Sequence, residues 1–214
     1  YATDEVLQDA PALESVIAQS AREEFDFKLA DGIINGSGAG MPMGVVGASG
    51  TVSVAKETNQ AAATIVAENI DKMWMRIIAS SRANAVWYIN QDCEAQLASM
   101  SLAVGTGGIP VYLPAGGYSA APYATLKGRP LLPIEQCATL GTVGDIILFD
   151  GSQYLVIEKG GVQAASSMHV QFLTDEMTFR FIYRVNGRPW RASAITPFKG
   201  SNTLAPFITL DTRS

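Results

Sequence analysis

The pattern of residues 4–34 constrains the fold most, because it predicts one long amphipathic helix. Pro11 suits the first turn, and Asp9 is a candidate N-cap. The segment 35–40, Asn-Gly-Ser-Gly-Ala-Gly, is a strong stop signal. At about 1.5 Å per residue, this helix is long for a compact domain of this size. Its apolar stripe recurs at three- and four-residue steps: Leu13, Val16, Ile17, Ala21, Phe25, Leu29 and Ile33.

Shorter elements follow the long helix. We expect a helix at 61–80, a short strand at Ala85–Ile89 and a helix at 91–102. Residues 104–124 are rich in glycine, proline and tyrosine. So long a segment without a regular pattern is usually functional or mobile.

From residue 130 onward the pattern is β, and it predicts two hairpins. Helices first and hairpins last indicate an α+β fold rather than a doubly wound parallel sheet. The predicted hairpins are 144–149 with 153–158, joined at Asp150-Gly151, and 170–185 with 188–195, joined at Asn186-Gly187.

The composition predicts a folded protein that does not bind nucleic acid through a basic surface. Hydrophobic residues make up 48% of the chain and charged residues 16%, which excludes disorder. The net charge of −5 lacks the basic excess of a nucleic-acid binder. No apolar run approaches about 18 residues, and residues 1–4 do not begin a signal peptide. Because the chain does not begin with Met, we expect that it is processed or cut from a longer protein.

The sequence contains no strong catalytic or ligand-binding motif. His169, the only histidine, lies in a β-patterned segment and is predicted to have an ordinary polar or packing role. The glycines of 36–40 follow a helix, and Met41 breaks the dinucleotide-binding pattern. Ser53 and Lys56 match SxxK, but the companion KTG motif is absent. We therefore predict no catalytic residue, cofactor or metal.

The remaining reactive or conspicuous side chains are predicted to be structural. Cys93 and Cys137 lie far apart among apolar neighbours, which indicates buried thiols and fits a reducing environment. The acidic residues of the long helix indicate a solvated helix face. The three tryptophans are predicted to be core anchors: Trp74, Trp87 and Trp190.

Four motifs, in order along nearly the whole chain, carry a family resemblance. They are a helix closing in 29–38 and followed by Met41-Pro42-Met43-Gly44-Val45; 85–90 followed by a helix; 126–133; and Gly144-Asp145 with Tyr154, Phe172, Asp175, Arg180 and Arg184. Together they resemble the major capsid proteins of tailed double-stranded DNA bacteriophages, which have the Hong Kong 97 phage capsid fold.

The resemblance implies a long spine helix, a peripheral β-hairpin and an axial α/β domain. Residues 1–40 and 161–183 would form the peripheral domain, and residues 41–160 and 184–214 the axial domain. The 104–124 loop would lie near a five- or six-fold axis. The family's N-terminal arm and extended loop precede the spine helix, so we expect them outside this chain.

The resemblance also implies a structural subunit, not an enzyme, that forms pentamers and hexamers of an icosahedral phage head. Its partners would be neighbouring copies of itself, with scaffolding, portal and decoration proteins. The shell would assemble in the bacterial cytoplasm, become the virion capsid and enclose double-stranded DNA without sequence-specific binding or a membrane. The subunit-contact candidates are Glu23, Lys28, Tyr112, Tyr118, Arg180 and Arg184.

Some family members join neighbouring subunits by a Lys–Asn isopeptide bond that a buried glutamate promotes. Here Asp175 falls at the asparagine position and Ile182 at the glutamate position, which argues against cross-linking. Three other functions remain open. They are a protein-nanocompartment shell of the same fold, a small hydrolase using Ser53 and Lys56, and a glycan- or protein-binding module using 104–124.

Overall fold

The computed structural model describes residues 2–3, 13–104, 107–110, 124–174 and 176–213. Three α-helices and thirteen strands lie in this part of the chain. The helices are α1 (Leu13–Asn35), α2 (Ala67–Arg76) and α3 (Glu94–Ser99). The strands are β1 (Ala2–Thr3), β2 (Val52–Val54), β3 (Val86–Ile89), β4 (Ser101–Val104), β5 (Gly107–Pro110), β6 (Ala124–Leu126), β7 (Arg129–Pro133), β8 (Ile146–Phe149), β9 (Tyr154–Glu158), β10 (Gln163–Gln171), β11 (Glu176–Ile182), β12 (Val185–Pro189) and β13 (Phe207–Leu210).

A six-stranded mixed sheet, in the order β2-β13-β8-β3-β7-β6, holds the core. Its strands β8 and β13 are buried along their whole length, which explains their uninterrupted apolar sequences. Successive side chains of β8 join two different core clusters, because alternate residues of a strand point to opposite faces. One cluster includes Ile146, Leu148, Trp87 and, from α2, Ile70 and Met73; the other includes Ile147, Phe149, Phe207, Val45 and, from α1, Ile34.

A second sheet, in the order β1-β11-β10, lies beside α1. The ring of Phe25 on α1 meets that of Tyr183, just after β11, at 5.8 Å and nearly edge-on. Ala18 on α1 and Phe179 on β11 line the same hollow. Most of the predicted helical stripe is therefore half-buried, whereas Val16 is 56% exposed and lies outside the packed face.

The strands β9 and β12 form a separate two-stranded antiparallel ribbon. This pairing shows that the predicted hairpin of 144–149 with 153–158 is wrong. Both edges of β8 are occupied by β3 and β13, which are as apolar as β8 itself. The side chain of Asp150 accepts the backbone N–H of Ser152, and the resulting turn leads the chain away from the sheet.

The second predicted hairpin is also wrong, because the chain does not turn at Asn186-Gly187. The chain turns after β10, where the backbone N–H of Thr174 donates to the carbonyl of Gln171, and returns as β11. Asn186 and Gly187 lie inside β12 instead. Gly187 is required there by packing, since an added Cβ would lie 2.7 Å from the Tyr154 ring.

The short elements differ from the sequence pattern mainly at their ends. The predicted helix 61–80 is confirmed only over α2, and 91–102 divides into a 3-10 turn, α3 and the start of β4. The start of the predicted 4–34 helix and most of the 104–124 segment lie outside the described residues. The mixture of helices and sheets nevertheless agrees with the predicted α+β class.

Candidate functional site

The exit of α1 folds back tightly on the last turn of the helix. Backbone N–H groups of Gly44, Val45 and Val46 donate to the carbonyls of Gly36, Ile33 and Ile34 at 2.7, 2.9 and 3.0 Å. These bonds satisfy carbonyls that a helix end otherwise leaves without partners. The returning chain therefore fixes the direction in which residues 36–46 leave α1.

The same returning chain holds the β9–β12 ribbon. The backbone N–H of Met43 donates to the carbonyl of Gly187 at 2.7 Å, and the Tyr154 hydroxyl donates to the carbonyl of Met43 at 2.9 Å. Burial raises the pKa of Tyr154 to about 12, so its hydroxyl remains a donor at neutral pH. One face of the ribbon is thereby attached to the end of α1.

The opposite face of the ribbon is exposed. Leu155 lies across from Arg188, and Ile157 lies across from Asn186. The backbone N–H of Trp190 donates to Gln153, and that of Lys159 donates to Arg184, so the same register continues at both ends. Because side chains alternate along a strand, these residues share one side. We call this side the outward ribbon face and define it by Leu155, Ile157, Lys159, Arg184, Arg188 and Trp190.

The outward ribbon face leaves large apolar groups in solvent. Ile157 is 64% exposed and Trp190 is 65% exposed. The prediction that Trp190 is a core anchor is therefore wrong, whereas Trp87 is fully buried and Trp74 is partly buried. Exposed tryptophan and arginine within a small apolar patch are typical of the centre of a protein–protein interface.

The predicted contact residues of the long helix lie on its surface. Glu23 is exposed and accepts a hydrogen bond from Gln19 at 2.9 Å. Lys28 is exposed and lies 3.2 Å from Glu24, one helical turn earlier. Such a pair contributes little to stability because water and salt screen it.

The two other predicted contact residues that the structure describes lie outside α1. Arg180 is exposed on β11, and Arg184 is exposed on the outward ribbon face. Tyr112 and Tyr118 lie outside the described residues, as does Asp175, whereas Ile182 is partly buried in β11. Among the predicted candidates that the structure describes, only Arg184 belongs to the outward ribbon face.

A buried ion pair ties the end of the chain to the core. Arg213 and Asp145 are fully buried, and an Nη atom of Arg213 donates to Oδ2 of Asp145. Oδ2 also accepts the backbone N–H of Gly141 at 2.9 Å. Burial raises the pKa of Asp145, while the Gly141 N–H and Arg213 act to lower it.

The two cysteines are buried free thiols, as predicted. Burial, reinforced by the charge of Asp145, raises the pKa of Cys93 to about 12. Burial raises the pKa of Cys137 to about 12 as well. Both thiols are therefore protonated at neutral pH, which makes them poor nucleophiles.

The predicted SxxK residues do come together. Ser53, on the edge strand β2, and Lys56 line a surface hollow of about 490 Å³. Two further cations line this hollow and are held by neighbours: Lys72 lies 2.6 Å from Glu57, and Arg76 donates to Thr203. His169 is exposed on β10, far along the chain from both residues.

We expect a serine-reactive fluorophosphonate probe to label the wild-type protein and the Ser53→Ala variant equally weakly. A nucleophilic serine needs a base and oxyanion donors, whereas Ser53 lies on an exposed sheet edge. In-gel fluorescence measures the labelling, with Ser152→Ala as a matched exposed control. Labelling that disappears only in Ser53→Ala would revive the hydrolase hypothesis.

Among the described residues, no three metal-binding side chains of histidine, cysteine, aspartate or glutamate are grouped so that they could hold an ion. No helix within the described ranges is both long and apolar enough to cross a membrane.

Comparison with known proteins identifies the family. The model of the phage capsid family matches residues 1–200. The chain belongs to the phage capsid family. Membership supports the role of a capsid shell subunit, which is structural rather than enzymatic, and indicates a place in the virion capsid. No curated protein matches the sequence.

Solved capsid structures share the fold of this phage capsid family member. One is the capsid of an empty GTA particle computed with C5 symmetry, with a TM-score of 0.74 and 19% identity over 100% of this chain and 71% of that one. The capsid of the native GTA particle, also computed with C5 symmetry, gives a TM-score of 0.74 and 19% identity over 100% of this chain and 70% of that one. At this identity the matches establish the fold.

Sequence reasoning missed most of the outward ribbon face. It placed Trp190 in the core and did not single out Leu155 or Ile157, because each residue fits an ordinary strand pattern. The available signal was the consecutive apolar run Leu155-Val156-Ile157. That signal becomes informative only when the partner of β9 is known to be β12.

Proposed function

We propose that this chain is the structural subunit of an icosahedral phage head and that its copies form pentamers and hexamers. The observation that carries the proposal is the phage capsid family match over residues 1–200, together with the shared fold of the capsid structures. The exposed apolar surface of the β9–β12 ribbon supports it, because monomeric proteins rarely leave several large apolar side chains exposed on one face.

We also propose the two-part division into residues 1–40 with 161–183 and residues 41–160 with 184–214. In support, every strand of the six-stranded sheet comes from the second set of residues. The strands β1, β10 and β11, and the helix α1, come from the first set. The first set would be the peripheral domain and the second the axial domain.

Copies arranged around a rotational axis contact each other through two different surfaces, and such head-to-tail contacts close into rings. We propose that the contact residues include Glu23, Lys28 and Arg180 on the peripheral side and Arg184 on the ribbon. Tyr112 and Tyr118 would lie near the ring centre. Scaffolding, portal and decoration proteins are the further partners that such a shell would meet.

The enclosed molecule would be double-stranded DNA, held without sequence-specific contacts. The net charge of −5 supports this, since a strongly basic wall would bind packaged DNA by releasing counterions and oppose its ejection. Host cytoplasmic assembly and the absence of cross-links remain predictions of the same proposal.

Electron microscopy of the protein expressed from the whole open reading frame that encodes this chain tests the proposal. We expect closed icosahedral particles, or procapsids when neighbouring scaffold genes are co-expressed. Particles that protect DNA from nuclease in infected or induced cells identify a phage head, whereas particles filled with protein identify a nanocompartment. Dispersed monomers under every condition would contradict both shell functions.

A further inference from the structure

We propose that the outward ribbon face of one copy packs against the solvent-facing side of α1 in the next copy. This inference rests on the proposed shell function and names the pair of surfaces that join neighbouring subunits. Both surfaces lie on the same chain, expose apolar side chains and carry opposite charge.

The outward ribbon face is basic as well as apolar. Lys159, Arg184 and Arg188 are exposed on it, around Ile157 and Trp190. Within the described part of the chain, none of the three cations forms an ion pair. Their charges are therefore available to a partner rather than neutralised inside the subunit.

The solvent-facing side of α1 is acidic and also apolar. Three of its residues lie almost in line along the helix, because Glu23 and Phe27 follow Val16 by seven and eleven residues at about 100° per residue. Val16 is 56% exposed and Phe27 is 46% exposed. Glu24 and Asp31 lie on one side of this line, within about 80° of it. Glu24 is paired with Lys28 at 3.2 Å, just outside the face, so the charge available to a partner comes mainly from Glu23 and Asp31. We call this side the acidic helix face, defined by Val16, Glu23, Glu24, Phe27 and Asp31.

The two faces match in size as well as in charge. From Val16 to Asp31 the helix rises about 22 Å, at about 1.5 Å per residue. From Gln153 to Lys159 the ribbon extends about 20 Å, at about 3.3 Å per residue. An elongated basic patch can therefore lie along an elongated acidic patch, with apolar side chains between the charges.

The occupant of the ribbon face is the acidic helix face of a second copy, because the two faces are complementary in charge whereas each face repels its own kind. A two-fold contact would bring the three ribbon cations of two copies together, and like charges in an interface are strongly disfavoured. A head-to-tail contact instead joins the basic ribbon of one copy to the acidic helix of the next. Repetition of that contact around an axis produces a ring.

Charge exchange between the two faces tests the proposal. The full-length ribbon variant Arg184→Glu/Arg188→Glu and the full-length helix variant Glu23→Arg/Glu24→Arg should each lower the assembled fraction by more than about tenfold. The variant that carries all four changes should recover most of the assembly, because the opposite charges face each other again. Sedimentation velocity and particle counts by electron microscopy measure the assembled fraction.

The control is Lys56→Glu/Lys199→Glu, which makes the same charge change at two exposed lysines outside both faces. It should assemble like the wild type, and circular dichroism should show that all variants are folded. Normal assembly of the ribbon variant would overturn the proposal. So would loss of assembly in both double variants without recovery in the combined variant, which would indicate that each face binds something else.

Failure of this inference can be distinguished from failure of the proposed function. If the wild-type chain forms shells and the charge exchange fails, only the pairing of these two faces is wrong. Because sedimentation also detects small oligomers, the exchange can be scored even where shells do not close. A wild-type chain that stays monomeric at all concentrations overturns both.

Discussion

Replacing Arg213 with methionine is expected to lower the free energy of unfolding by about 3–5 kcal/mol, because it leaves the carboxylate of Asp145 buried without its counter-charge. The guanidinium also donates to the carbonyl of Thr64 at 2.6 Å and to that of Asp211 at 2.9 Å. These acceptors would lose their partners as well. Urea unfolding followed by circular dichroism measures the loss.

The control for Arg213→Met is the double variant Asp145→Asn/Arg213→Met. It removes both charges, and we expect it to be more stable than the single variant, because no unpaired charge remains buried. A loss below about 1 kcal/mol in the single variant, within the range of an exposed pair, would contradict the buried ion pair.

The Arg213→Met deficit is also expected to depend on pH. Burial already raises the pKa of Asp145 above 3.8, and removing Arg213 removes one of the influences that lower it. The folded state then binds a proton more tightly than the unfolded state does, so stability falls as pH rises from 3.8 through the raised pKa. Unfolding measured as the pH is lowered from neutral towards 3.8 should show a shrinking deficit. A loss of stability in Arg213→Met that grows as the pH is lowered would contradict this prediction.

Replacing Gly36 with alanine is expected to destabilise the fold by roughly 3 kcal/mol or more. An added Cβ would overlap the backbone carbonyl oxygens of both Gly32 and Pro42. Neither oxygen belongs to a side chain that can rotate away, so the end of α1 and the returning chain must separate. The hydrogen bond from Gly44 to the Gly36 carbonyl would be disturbed at the same time.

Thermal unfolding measures the Gly36→Ala effect, and Gly47→Ala is its matched control. A Cβ at Gly47 meets nothing within 4 Å, so its substitution should change stability by less than about 0.5 kcal/mol. Gly36→Ala should also reduce assembly, because residues 36–46 hold the ribbon through Met43. Equal stability of the two variants would contradict the tight helix exit.

Local sequence patterns were sufficient to predict α1 and the positions of several strands. The three- and four-residue apolar steps indicated the helix, and the glycines after Asn35 indicated its end within one residue. The apolar run near residues 146–149 indicated a strand, which is confirmed as β8. These features depend on residues close together in the chain, where propensity, periodicity and chain-stop signals act directly.

Strand pairing could not be predicted in the same way. The short connection after β8 favoured a hairpin with β9, but β8 lies between β3 and β13, which come from distant parts of the chain. A strand that is buried on both faces needs apolar neighbours on both edges, and β9 leaves its side chains in solvent. Which strands pair with β8 therefore depends on the whole sheet and has no local signature in the sequence.

The sequence by itself determined the α+β class, the long helix and its glycine exit, the buried thiols and, through ordered motifs, the capsid family that the comparison confirmed. Only the tertiary structure decided that Trp190 is exposed, that β9 pairs with β12, and that Arg213 is buried against Asp145. The physical reason is that periodicity reports which residues share a face, whereas burial depends on what a distant segment places against that face.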